Sequence, residues 1–178
     1  MTDIILIVLF GLMVLTALAA IRLTDLFAVV IMFSIYSLLA SSMFVVMDAV
    51  DVAFTEAAVG AGISTILMLG TLVLTDRWEK PSKNKPMLPL TVVTITGAVL
   101  MYGTLDMPIF GDPESPVQQH VAPRYLEQSA SETGIPNVVT SVLASYRGYD
   151  TFGELTVIFT AGVGVLALLG LGRRGGRK

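Results

Sequence analysis

Apolar residues in this chain run in long, nearly unbroken blocks at 4–21, 26–47, 52–74, 88–105 and 152–171. They show neither the strict alternation of a half-buried strand nor the single apolar stripe of a surface helix. Each block has about the 17–25 residues that a helix needs to cross a hydrocarbon core roughly 30 Å thick. The pattern therefore predicts an all-α integral membrane fold with five transmembrane helices. No Lys or Arg precedes the first block and no clear cleavage motif follows it, so it reads as a retained span, not as a signal peptide.

Short polar breaks separate the first three blocks, Arg22 to Asp25 and Asp48 to Asp51, which forces antiparallel neighbours. Asp3, Asp25 and Asp51 stand at the starts of these spans, where a carboxylate can accept bonds from unpaired backbone N–H groups. Residues 79–87 form a linker with two prolines among lysines, beginning just after Trp78. It divides a three-span module, 1–78, from a two-span module, 88–178. Within the second module, 106–136 is a polar outer loop rich in Pro, Gly, Asp and Glu. After it, Val138, Val139, Val142, Leu143 and Tyr146 recur at helical spacing, which predicts a short interfacial helix over 137–146.

Composition agrees with a membrane class: 54% of residues are hydrophobic and 14% charged, against about a quarter charged in soluble domains. The 178 residues suffice for a bundle of spans without a separate catalytic domain. There is no cysteine, and the one histidine, His120, falls in the polar loop. A metal centre or bound cofactor is therefore not expected, and neither is a catalytic site. The basic residues form no nucleic-acid-binding stripe. Instead, alternating the loops across the membrane puts Arg22, Arg77, Lys80, Lys83, Lys85, Arg173, Arg174, Arg177 and Lys178 on one side, nine of the eleven basic residues. The positive-inside bias makes that side cytoplasmic, with the N-terminus outside and the C-terminus inside.

Candidate chemistry concentrates in the third block, whose one ionisable side chain is Glu56. An acid within a span is costly and by default marks a functional site. Ala53, Ala57, Gly60 and Ser64 recur at spacings of four, three and four, a stripe of small residues that lets another helix approach closely. Glu56 borders that stripe, so its carboxylate should face protein, as a proton relay, an ion ligand or a group held for assembly. Gly60 and Gly62 serve close packing, or they lower the cost of a π-bulge or kink; the second reading predicts broken helical hydrogen bonding near 58–64. Arg147, Asp150 and Glu154 lie at intervals of three and four around the start of the last span, suited to an ion pair or to a polar route from the surface.

Two motifs carry a family resemblance. The run from Asp48 to Gly62 resembles the signature of the small D-type membrane protein of membrane-bound hydrogenases, and of the C-terminal part of the large A-type protein in Mrp sodium/proton antiporters. Gly134 to Thr140 and Arg147 to Glu154 resemble the adjoining E-type protein. The resemblance implies a fusion of D-type and E-type modules, similar in topology to the J-type component of respiratory complex I, which has a deformable third helix. It further implies Glu56, Asp150 and Glu154 as ion-path residues, with Gly60 and Gly62 at the deformation. The large N-terminal part of the A-type protein is missing from this chain, so it would not exchange ions alone.

The function expected is that of one membrane component of a multisubunit Mrp-type Na+/H+ antiporter in the cell membrane of a prokaryote, packed among other membrane subunits and lipid, with Na+ and H+ as the transported ions. One alternative is the membrane arm of an ion-pumping hydrogenase or related oxidoreductase. Another, of a different class, is a purely structural spacer.

Overall fold

The computed structural model describes residues 2–80 and 87–174, and every extended element in them is helical. The chain divides into two compact units, Met1–Leu90 and Thr91–Lys178. Of the positions that set the expected orientation, Lys83, Lys85, Arg177 and Lys178 lie outside the described residues, as does most of the expected linker.

The first unit opens with α1 (Thr2–Arg22) and α2 (Leu26–Val46). A third membrane-length helix follows in three sections: α3 (Val50–Glu56), a π-helical segment π1 (Ala57–Ile63), and α4 (Ser64–Leu72). α2 packs on α1 and on all three sections of the third helix. The α2–α3 turn is closed by Asp48 in the left-handed region at φ 60°, a conformation that Asp adopts more readily than most side chains. There Ala49 N–H donates to the Phe44 carbonyl at 2.9 Å, satisfying one orphan carbonyl of the helix end.

Asp25 caps α2 as expected, its carboxylate accepting from Phe27 N–H at 3.1 Å. Asp3 and Asp51 instead lie within the first turns of α1 and α3. They can favour the positive end of the helix dipole there, but they are not the cap residues. Asp25 has a second role that the sequence does not suggest. Arg77, beyond α4, grips both its oxygens at 2.9 and 2.6 Å, while the Arg77 carbonyl accepts from Leu26 N–H and the Thr24 carbonyl from Glu79 N–H. The segment after α4 is thus strapped across the α1–α2 turn. The Arg77 guanidinium also lies over the rings of Phe27 and Trp78, at 5.6 and 5.7 Å.

Helix α5 (Met87–Gly103) carries the fourth apolar block. With α1, α2, the third helix and the last one, it completes the expected set of apolar elements. Four of these are long and apolar enough to cross a membrane, and α5, at 17 residues, is shorter. Its length is about 25 Å at 1.5 Å per residue.

In the second unit, the polar loop contains two helices, α6 (Pro116–Gln119) and α7 (Ala122–Thr133). Helix α7 has proline in its first turn and ends on Gly134 at φ 71°, the arrangement favoured at the two ends of a helix. The segment 137–146 is helical, first as α8 (Val138–Ser141), capped by Asn137 accepting from Thr140 N–H at 2.8 Å, and then as a second π-helical segment, π2 (Val142–Tyr146). Helix α9 (Gly148–Arg174) completes the unit.

Candidate functional site around Glu56

The third helix places Glu56 at the last α-helical position before the backbone widens into π1. The widening is explicit in Ser64 N–H, which donates to the Val59 carbonyl five residues back instead of four. It occupies the stretch where the glycine spacing predicts a break in regular bonding. A π turn leaves carbonyls poorly served by the regular ladder, and hydroxyls reach them here. Thr65 Oγ1 donates to the Gly60 carbonyl at 3.3 Å, and Ser34 Oγ of α2 donates to the Ala61 carbonyl at 3.4 Å.

α2 of the same chain covers the small-residue stripe. Ala53 is 2% exposed, and its carbonyl accepts from Ser41 Oγ at 2.7 Å. Gly60 faces Ser37: a methyl group on Gly60 would collide with Ser37 Oγ and lie 2.7 Å from Ser37 Cβ and 2.8 Å from Glu56 Oε1. Glycine is therefore required at 60 by close approach, whereas a methyl on Gly62 would meet only the Ala57 carbonyl, at an ordinary 3.8 Å. Ala57 and Ser64 are half-buried. The spacing that puts Ser64 on the stripe assumes a uniform helix. Over π1 the turns are wider, and opposite Ser34 the contact is made through the Ala61 carbonyl.

Glu56 is itself half-buried, with its carboxylate directed toward the gap that Gly60 leaves beside Ser37. The sequence pattern singles out the acid and the glycines but not Ser34, Ser37 and Ser41. The spacing of three and four between these serines along α2 is visible in the sequence and marks one helix face.

The other candidate residues belong to the second unit. Asp150 pairs with Arg147 at 2.6 Å, with both side chains more than half exposed, as the spacing suggests. Glu154 is exposed on the first turns of α9. His120 closes α6 as an exposed loop residue. A cluster unforeseen in the sequence joins α7 to π2. Tyr146 Oη donates to the Glu132 carboxylate, which Arg124 also holds, at 3.3 and 3.2 Å. The Tyr125 and Tyr146 rings lie 4.9 Å apart. The Tyr146 hydroxyl, and after it Arg124, hold the Glu132 carboxyl below its ordinary range, and the same hydrogen bond raises Tyr146.

Comparison with known proteins matches these two units to two families in series. The family profile for MbhD, the D-type subunit of MBH, matches residues 11–77, and that for MbhE, the E-type subunit, matches residues 90–175. The chain is also 28% identical over 130 residues to a probable K(+)/H(+) antiporter protein of the A/B type from Rhizobium meliloti (strain 1021). That alignment takes in 71% of this chain but only 13% of the much longer relative. The chain is a fusion of the D-type and E-type membrane subunits of the MBH and Mrp family.

Proposed function

We propose that this chain is one component of a monovalent cation/proton antiporter of the Mrp type, in a prokaryotic cell membrane, and that Glu56 is the carboxylate of its ion path. The observation that carries this reading is the placement of Glu56: an acid inside a membrane-length helix, at the start of a π segment, turned toward the hydroxyl face of α2. Such an acid can alternate between holding a proton and attracting a cation, and the widened helix beside it offers backbone oxygens outside the regular ladder. The antiporter name of the relative supports cation/proton exchange. Sodium follows from the resemblance noted in the sequence and potassium from the name of that relative, so both belong in the assay.

In this reading all five apolar helices cross the membrane, the N-terminus lies outside, and Asp150 and Glu154 are further ion-path residues. Other membrane subunits supply the remainder of the exchanger, since the chain corresponds to 13% of that relative. The test is cation-driven proton movement in inside-out vesicles carrying the whole complex. Glu56→Gln should abolish exchange while the complex assembles in normal amounts.

Both family profiles bear MBH descriptions, and they favour a second reading in which the same module serves the membrane arm of a redox-driven pump. Copurification with an iron-sulfur protein, together with ion movement that requires a redox substrate, would decide for it.

A further inference from the structure

Three serines on one face of α2 meet the third helix, and their situations differ. Ser41 and Ser34 are committed to the backbone, donating to the carbonyls of Ala53 and Ala61 at 2.7 and 3.4 Å. Ser37, between them, donates to no carbonyl among the described residues. Its hydroxyl instead borders the gap left by the missing side chain of Gly60, and Glu56 Oε1 borders the same gap, both closer than 3.0 Å to where a Cβ would stand. Among the described residues, neither Ser37 Oγ nor the Glu56 carboxylate has a hydrogen-bond partner.

A hydroxyl is suited to that place, because it donates to a carboxylate while its oxygen keeps lone pairs for a cation. Oxygen atoms replacing hydration water are how protein sites hold alkali cations. We propose that Ser37 is a positioning residue for Glu56, and that the two form a paired oxygen site for the monovalent cation exchanged against the proton. Gly60 keeps the site open. This rests on the reading of Glu56 as the ion-path acid.

The test uses the whole complex in inside-out vesicles, with Na+ and K+ supplied separately, and reads the KM and Vmax of exchange. Ser37→Ala should raise the KM for the transported cation about tenfold, the loss expected for one hydrogen bond to a charged group, with assembly and Vmax largely kept. Ser37→Thr should restore the KM, and Ser41→Ala, which removes only a bond to backbone, should leave it unchanged. If Ser37→Ala impairs assembly, Ser37→Cys, similar in size but a weak donor, takes its place with the same expected rise. An unchanged KM in Ser37→Ala, or an equal rise in Ser41→Ala, would overturn the assignment of Ser37 even where Glu56→Gln abolishes exchange. Normal exchange in Glu56→Gln would overturn the reading of Glu56 beneath it.

Discussion

Gly60 and Gly62 look alike in the sequence and differ in the fold. A methyl group at 60 would collide with Ser37, including its Cβ, whereas at 62 it meets nothing closer than 3.8 Å. Gly60→Ala should therefore destabilise the packing of α2 on the third helix by about 1–3 kcal/mol, the usual cost of overpacking a tight contact. Gly62→Ala and Gly70→Ala, where a Cβ has room, should cost far less. Thermal unfolding of the purified complex carrying each variant checks this. The acid and the glycines were legible because an ionisable group or a break in an apolar run stands out. Ser37 was not, since a serine within a span bears no mark of its partner until the helices are docked. Spacing arithmetic presumes about 3.6 residues per turn, and the third helix departs from it over π1.

At the level of elements, the apolar runs locate the helices closely because membrane-length hydrophobicity is a strong, local signal. What they do not reveal is made of polar contacts between distant residues. The strap of Arg77 on Asp25 joins positions 52 apart, and its partners look in sequence like a cap and a topology signal. Asp25→Asn should loosen residues 76–80, seen as faster tryptic cleavage after Arg77. Arg77 holds the Asp25 carboxyl below its ordinary value of 3.8. The strap's contribution is therefore complete above that pH and is lost as the pH falls through the lower folded value. Helix α7 was concealed by its polar composition, although Pro123 and Gly134 mark its ends. Its clasp on π2 should weaken in Tyr146→Phe, with faster amide exchange over 122–133. That clasp loses its Glu132 contribution as the pH falls through a value below 4.5, and its Tyr146 contribution as the pH rises through a value above 10.0.

For the molecule as a whole, the distribution of basic residues makes a directional prediction that the absence of native cysteine renders convenient to test. Single cysteines at Arg22 and Thr75 should react with an impermeant maleimide only from the cytoplasmic side, and those at Ala49 and Thr104 only from outside. Labelling of position 104 from the cytoplasmic side would show that α5, the short apolar helix, does not cross. Above these stands the claim that a half-buried acid beside a π-helix carries the ion. The most direct measurement is cation/proton exchange by inside-out vesicles bearing the complete complex with Glu56→Gln, the amount of assembled complex being determined in the same membranes. Loss of exchange at a normal level of complex is the predicted result; exchange at the rate of the unsubstituted complex would contradict it.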